Sequence, residues 1–302
     1  MTVAEPIVTG ADPTAARLLK SSARQSYDPE VDIDWDAPLA DDCFFMQPER
    51  MSLYGTPTWE RLSRAQRIEL SRHEVASIAG VGLWFELILM QLMVRDVYDR
   101  DPRSEGAQYA LTEIGDECRH SVMFARMIER YGVPAYGATP PVHRLGRAFK
   151  TMASGVSGYA AILVAEEILD RWQRELVKDE RVQPLSRMVA RIHVLEEARH
   201  MTFAREEVQR LTPSLSRPSL AWHRHVTAQT ALFVTRSLVH PGVYAAVGLD
   251  PRAARKEAYA NPHYRQTLAW MGERVLAFLD EQGLIGRAQL PTWRRSLLLP
   301  AL

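Results

Sequence analysis

The sequence contains few cysteines, no excess of either charge and no long uninterrupted apolar run. Its two cysteines, Cys43 and Cys118, form no Cys-x-x-Cys pair and cannot build a disulfide framework, so we expect reduced thiols in a cytoplasmic protein. Lysine plus arginine and aspartate plus glutamate number 37 each, and this balance gives no reason to expect binding to nucleic acid or to an anionic membrane.

The most apolar stretch, residues 81–94, is interrupted by Glu86 and Gln91 and is too short to span a bilayer. The opening residues, MTVAEPIVTG, lack the basic and apolar regions of a secretory signal. These features predict a cytoplasmic protein that does not insert into a membrane. A chain of 302 residues that is 46% hydrophobic can bury a large core as one domain.

Helical periodicity dominates after residue 56 and strand-like alternation is scarce, so the sequence predicts an all-α fold. Cap residues and breakers set the expected helix bounds. The predicted helices lie near residues 63–99, 104–131, 144–178, 184–212 and 218–239, with a short one from residue 250 and a last one from 261 to 283.

Residues 1–56 are rich in proline, aspartate and glycine and predict an extended N-terminal arm with a few turns. We expect its aromatic side chains to pack on the helices, since so many large apolar groups argue against the alternative of a flexible tail. These side chains are Trp35, Phe44, Phe45 and Tyr54. Residues 57–302 are predicted to form a single helical domain.

Residues 186–205 carry His193, Glu197 and His200 with no helix breaker between them. At about 100° per residue, the three side chains fall within an arc of roughly 60° on one helical face. A helix presents several ligands to one metal site in this way. A single Glu-x-x-His also arises by chance on charged helices, so this motif alone is weak evidence.

The motif has a second copy. Glu117 and His120 stand in the same spacing, and a Phe-Ala-Arg follows each copy. A further glutamate lies 31 residues upstream in both cases, Glu86 before Glu117 and Glu166 before Glu197, and the two sets are offset by 80 residues. This internal repeat of ligand types predicts a metal site built from two halves.

If the chain reverses at the midpoints, near residues 101–102 and 181–182, each glutamate pair lies at one height of an antiparallel hairpin, about 20 Å from its turn. Two packed hairpins then bring four glutamates and two histidines to one point, the ligand set of ferritin-like di-iron and di-manganese bundles. The predicted fold is therefore a ferritin-like, ribonucleotide-reductase-like bundle. It has a di-metal site in a four-helix core, extra C-terminal helices and the N-terminal arm.

His193 breaks the symmetry of the repeat, because its counterpart 80 residues earlier is Glu113. Lying four residues before Glu197, His193 can reach the same metal pair. The alternative is a core histidine bonded to a carbonyl.

Four residues beside the motifs are predicted to surround the ligands. Asp116 and Glu196 can accept the free ring N–H of a metal-bound imidazole. Arg119 and Arg199 would offset the charge of these acids in a buried network, or alternatively form surface salt bridges.

Four carboxylates with neutral imidazoles suit two iron ions, with manganese or a mixed Fe/Mn pair as alternatives, held about 3.5–4 Å apart. Zinc fits poorly, because four glutamates exceed what a tetrahedral site uses. Two adjacent ferrous ions can deliver two electrons to O2 together, so O2 is the expected co-substrate.

The ligand pattern resembles that of the AurF-type p-aminobenzoate N-oxygenases, which are ferritin-like di-iron enzymes. The resemblance covers most of residues 60–285 and includes the extra histidine before the last Glu-x-x-His. It implies a homodimer, a peroxo-diferric oxidant, oxidation of an aryl amine through the hydroxylamine towards nitro, and electrons from an external ferredoxin or reductase. The metal ligands it implies are Glu86, Glu117, His120, Glu166, His193, Glu197 and His200.

The substrate is left open by the sequence. Family members hold a substrate carboxylate with an arginine near the C-terminal helix, and here Arg265 and Arg274 lie in that region outside any shared motif. We expect an amine, free or carried on a protein, in an apolar pocket lined by Trp84, Phe85, Met90, Met123 and Phe124. Plain core packing is the alternative for these five. The alternative functions are a di-iron or Fe/Mn carbon hydroxylase and a non-enzymatic ferritin-like iron-handling protein.

Overall fold

The structure, a computed structural model, describes residues 12–299, and its regular elements are helices. The α-helices in chain order are α1 (Pro13–Arg24), α2 (Pro29–Asp32), α3 (Pro57–Arg61), α4 (Arg64–Tyr98), α5 (Glu105–Tyr131), α6 (Pro140–Met152), α7 (Gly155–Leu176), α8 (Pro184–Leu211), α9 (Arg217–Ser237), α10 (Gly242–Ala245), α11 (Pro251–Ala260), α12 (Pro262–Glu281) and α13 (Leu290–Ser296). Short 3-10 helices cover Pro48–Arg50, Thr212–Ser214 and Arg287–Gln289. Within the described residues, β pairing is limited to an isolated parallel bridge between Phe44 and Val182. The predicted all-α class is confirmed.

Local signals set the ends of the long helices. The side chain of Ser63 accepts from the Gln66 N–H and the Gln66 side chain caps in return, which starts α4 with a capping box. Helix α5 ends at Gly132, whose φ of 64° suits glycine. Helix α8 begins at Pro184, where a missing N–H costs nothing. The predicted bounds of these helices are confirmed to within a residue or two.

Helices α4 and α5 form one antiparallel hairpin, and α7 and α8 form another. The hairpins pack together through contacts of α5 with α8 and of α4 with α7. Helix α7 is also covered by α9 and α12, and every residue from 156 to 170 is buried. An acid within that stretch, such as Glu166, is therefore removed from water.

The helix predicted over residues 144–178 is in fact two helices, α6 and α7, separated at Ala153 and Ser154. Gly155 adopts a φ of 50°, which a continuous right-handed helix does not allow. The guanidinium of Arg95, on α4, donates to the carbonyls of Lys150 and Thr151 at 2.8 and 3.2 Å and so satisfies the end of α6.

The N-terminal arm is not extended throughout. Asp12 caps α1 by accepting from two backbone N–H groups, and α1 packs against α5 and α8. The aromatic residues of the arm behave as expected, because Trp35, Phe44 and Phe45 are buried and Tyr54 packs against the same core. Residues 1–11 of the predicted arm lie outside the described residues.

Helix α4 is long and apolar enough, by length and composition, to cross a membrane. Residues 81–94, judged too short to do so, are only part of this 35-residue helix. However, 56% of its most apolar window is buried inside the protein, as in the core helix of a bundle.

Candidate metal centre

Seven acidic and imidazole side chains from four helices converge in the middle of the bundle. Their ligand atoms lie within 4.8 Å of one another in three overlapping groups, and none of the seven is more than 4% exposed. The groups are Glu117, His120, Glu197 and His200; Glu86, His120 and His193; and Glu166, His193 and Glu197. Because the groups share members, they form one continuous cluster, and it contains every ligand expected from the sequence.

The two Glu-x-x-His motifs face each other across α5 and α8. His200 Nδ1 lies 2.9 Å from Glu117 Oε1, and His120 Nδ1 lies 3.2 Å from Glu197 Oε1. Each imidazole therefore directs Nδ1 towards the carboxylate of the opposite motif. Glu117 and Glu197 each lie within 3.3 Å of both imidazoles, and these two carboxylates would help to hold the metal ions.

The acids that precede the motifs contact the opposite motif as well. His120 Nε2 is 2.8 Å from Glu196 Oε2, and His200 Nε2 is 3.2 Å from Asp116 Oδ2. A carboxylate that accepts from Nε2–H fixes the ring and leaves Nδ1 free to bind a metal. Both acids accept from an imidazole, as expected. The sequence did not predict that each acid would contact the histidine on the other helix.

The two arginines differ in environment. Arg199 is 6% exposed, and its Nη2 lies 3.5 Å from both Asp116 Oδ2 and Glu196 Oε1. Arg119 also contacts Asp116, but its side chain is 37% exposed at the rim. The Tyr27 backbone N–H donates to Glu196 Oε1 at 3.1 Å. Arg199 thus belongs to a buried network that the N-terminal arm completes.

His193 directs one ring nitrogen into the cluster. Its Nε2 lies 3.5 Å from Glu197 Oε1, 3.8 Å from Glu86 Oε1 and 3.9 Å from Glu166 Oε2. Its Nδ1 lies 2.7 Å from Oε1 of Gln173. The partner is a side chain, not the carbonyl of an ordinary core histidine. Gln173 was not predicted, although it lies seven residues, or two turns, after Glu166 on the same face of α7.

The repeat spacing distinguishes Glu166 from its neighbour Glu167. Glu166 lies in the cluster, whereas Glu167 forms an ion pair with Arg205 at 2.6 Å. Glu86 accepts from the hydroxyl of Ser121 at 2.8 Å. Ser121 was also not predicted; it follows Glu117 by four residues and therefore faces the same way.

Burial and mutual repulsion dominate the electrostatics of the cluster. Burial raises the pKa of Glu86, and burial with the neighbouring carboxylates raises the pKa of Glu166 well above its usual range. Burial opposes ionisation of Glu197 as well, but the charges of His200 and His193 hold the pKa of Glu197 well below its usual range. The raised pKa values of Glu86 and Glu166 favour their protonated forms, and binding of divalent ions would displace such protons.

An unpartnered buried oxygen atom is a second observation that fits a bound pair of cations. The Oε2 atom of Glu197 is buried and has no hydrogen-bond partner within the described structure. A buried carboxylate oxygen without a partner is costly, and a metal ion would supply one. Glu113 Oε2 and the Tyr109 hydroxyl are likewise buried without partners, and burial raises the pKa of Glu113 to about 8.

A narrow cavity of about 40 Å³ reaches the cluster at Glu86, Glu166 and His193. Phe85 and Phe124 line it, as expected. The other three predicted pocket residues do not. Trp84 faces a surface groove beneath α6, Met90 Sδ lies 3.4 Å from Cys118 Sγ, and Met123 is fully buried core. Trp84 misses the cavity because successive side chains on a helix point about 100° apart, so Trp84 faces away from Phe85.

Two packed helical hairpins with a buried carboxylate and imidazole cluster at their centre define a ferritin-like protein with a site compatible with two metal ions. Residues 9–283 match the family of the P-aminobenzoate N-oxygenase AurF, and the chain belongs to this family. Three uncharacterized mycobacterial proteins, two from Mycobacterium tuberculosis and one from Mycobacterium bovis, are each 28% identical over 288 residues, covering 92% of this chain and 85% of the relative. Membership of this family indicates a di-iron oxygenase.

Proposed function

We propose that this protein is an O2-dependent non-haem di-iron monooxygenase that oxidises an amine nitrogen to the hydroxylamine and on towards the nitro group. The observation that carries the proposal is the third histidine, His193, which joins the Glu/His cluster at the point where the apolar cavity opens onto it. In each oxygenation one oxygen atom is transferred to the amine nitrogen, and the second leaves as water with two electrons and two protons from outside. An external ferredoxin or reductase would supply the electrons.

Seven side chains would hold the two iron ions: Glu86, Glu117, His120, Glu166, His193, Glu197 and His200. Four carboxylates and three imidazoles are donors that suit iron or manganese. When bound, two ferrous ions supply two electrons to O2 in one place. Asp116 and Glu196 fix the rings of two histidines, and Gln173 fixes the third.

The apolar cavity supports an enzyme over an iron-handling protein, since iron transfer requires no apolar chamber beside the metals. The carbon hydroxylase remains the second candidate, because the same centre and cavity would serve it. Gel filtration tests the iron-handling alternative, because a ferritin-like storage cage elutes at a much larger apparent mass than a dimer.

We further propose a cytoplasmic homodimer. The outward faces of α4 and α5 expose Leu87, Val94, Leu111 and Val122, each between 45 and 53% exposed. Four exposed apolar side chains on one hairpin support a protein partner. Light scattering of Leu87→Glu tests this, and the variant is expected to be monomeric where the unaltered chain is dimeric.

The function is tested by loading anaerobic apoprotein with Fe(II) and adding O2, a chemical reductant and a panel of aryl and alkyl amines. Mass spectrometry is expected to detect hydroxylamine or nitro products with the iron protein and none with a zinc-loaded control. Carbon-hydroxylated products without N-oxidised ones would favour the second candidate.

A further inference from the structure

We propose that the substrate of this centre is an amine with an uncharged, apolar body, held in a slot that runs from His193 along the bundle, and that amines bearing a carboxylate are excluded. This inference rests on the proposed function, because it assigns the amine class that the same site takes.

The slot is long and parallel to the helices. At its inner end lie Glu86, Glu166 and His193, and its far wall includes Val75 on α4 and Leu176 on α7. Glu166 and Leu176 are ten residues apart on one helix, which corresponds to about 15 Å. Along this direction, an aromatic ring with its nitrogen at the metal end would direct the substituent opposite its amino group towards Val75 and Leu176.

The walls offer almost no polar group beyond the three at the metal end. Of the three others, Trp172 carries an indole N–H, and Ser186 donates its hydroxyl to the Phe45 carbonyl at 2.8 Å and also contacts the Tyr131 hydroxyl. Gln173 uses its Oε1 for His193. The remaining lining residues are aliphatic, aromatic, methionine, alanine or glycine. The surface that meets the body of a ligand is therefore apolar.

Among residues 12–299, no lysine or arginine lines this slot. The two arginines considered from the sequence, Arg265 and Arg274, are exposed on α12, and Arg265 Nε donates to the Tyr259 carbonyl at 2.8 Å. A ligand carboxylate inside the slot would be buried without a cationic partner. This loss of solvation weakens binding of an anion, whereas a neutral ring gains from burial.

The side-chain amide of Gln173 is a polar group in the wall with capacity to spare. In the described part of the chain its Nε2 makes no hydrogen bond, since only Oε1 is engaged. This donor can bind a neutral oxygen of the substrate, such as an ether, hydroxyl or amide carbonyl. It selects for an uncharged acceptor and does not compensate a full negative charge.

The test compares 4-aminobenzoate with its methyl ester, 4-aminobenzamide and 4-methylaniline on the iron-loaded protein. Binding is measured under anaerobic conditions by the shift in Tm and by titration, and products are then measured after O2 is added. The neutral compounds are expected to bind at least about 100-fold more tightly than 4-aminobenzoate. Equal or tighter binding of 4-aminobenzoate, or no binding of any neutral compound, would overturn the inference.

The two proposals fail in different ways. Preferential binding of the neutral compounds with only carbon-hydroxylated products leaves the slot assignment standing and removes the N-oxygenase. If 4-aminobenzoate binds as tightly as its ester and is efficiently N-oxidised, the N-oxygenase proposal stands. The proposed selectivity of the slot for neutral amines is then contradicted.

A pair of variants provides a second test. Leu169 lines the slot one turn from Glu166, so Leu169→Arg places a cation beside the ligand body and Leu169→Met keeps the wall neutral at similar volume. Relative to Leu169→Met, Leu169→Arg is expected to bind 4-aminobenzoate at least about tenfold more tightly and the methyl ester less tightly. An unchanged preference in folded Leu169→Arg would count against the slot. The ligand panel on the unaltered protein decides the matter if that variant does not fold.

Discussion

His120 on α5 places its Nε2 atom 2.8 Å from Glu196 on α8, an acid that belongs to the other copy of the repeat. His200 and Asp116 form the reciprocal pair. The two halves of the repeat are thus linked through the groups that orient the ligands as well as through the ligands themselves. Loss of an acid on one helix should therefore disturb the histidine on the other.

Glu196→Ala removes the acceptor of His120 Nε2 and is expected to weaken iron binding by about 10–100-fold. Glu196→Gln keeps an acceptor oxygen and should weaken it less. Glu206→Ala, on the same helix, is the control, because Glu206 accepts from Thr14 away from the cluster. Anaerobic Fe(II) titration measures the affinities. Equal affinities for Glu196→Ala and Glu206→Ala would contradict the crossed arrangement.

Glu166→Gln is expected to lose iron, and Glu167→Gln is not. The two acids are neighbours on α7, but only Glu166 enters the cluster, and Glu167 binds Arg205. Iron per chain after anaerobic loading and desalting is the measurement. If both variants retain two irons, Glu166 is not a ligand.

These two predictions also show what the sequence specifies. Helices keep a fixed rise and direction, so the 31-residue and 80-residue spacings were enough to select Glu166 over Glu167 and to place six side chains together. His193 followed from its position four residues before Glu197. Helix ends were predictable because capping residues such as Ser63 and Pro184 act locally. The fold class needed only these signals.

Features that depend on contacts between distant residues were not predictable. The break between α6 and α7 falls where Gly155 adopts a φ of 50°, and Arg95 from another helix satisfies carbonyls at the end of α6; residues 144–178 contain no proline to mark it. The crossed acids and the pairing of Gln173 with His193 depend on how the hairpins pack. Helix α1 was missed even though Asp12 and Pro13 form a cap signal, because the surrounding composition resembled a loop.

His193→Ala is expected to leave the bundle folded and to change the absorption spectrum of the oxidised centre. Gln173→Leu should change the spectrum in the same direction, because His193 Nδ1 then lacks its partner at 2.7 Å. Gln173→Glu retains an acceptor and should restore most of the original spectrum. Full metal occupancy with an unaltered spectrum in His193→Ala would remove His193 from the ligands.

Glu74, away from the metal centre, is expected to make stability depend on pH. It is fully buried and accepts from Ser52 N–H and O–H at 3.0 and 2.6 Å. Burial raises the pKa of Glu74 to about 7, against the opposing effect of these bonds. The folded protein keeps this proton up to about pH 7, whereas the unfolded chain loses it near pH 4.5. The stabilising contribution is therefore complete below pH 4.5 and is lost as the pH rises through 7.

Glu74→Gln removes this titration and can keep the hydrogen bonds, since its amide oxygen accepts from Ser52 N–H and its NH2 donates to Ser52 Oγ. Between pH 5 and 8, the free energy of unfolding should fall by roughly 2 kcal/mol less in the variant than in the unaltered protein. Urea denaturation at several pH values measures this. Parallel curves for the two proteins would show that Glu74 does not titrate in this range.

The central claim is that the duplicated glutamates and histidines bind two iron ions in the core of the bundle. Crystals soaked anaerobically in Fe(II) and measured at the iron absorption edge test it most directly. We expect two anomalous peaks per chain, about 3.5–4 Å apart, enclosed by Glu86, Glu117, Glu166 and Glu197 with the three histidines. A single peak, or peaks that contact neither Glu86 nor Glu166, would contradict it.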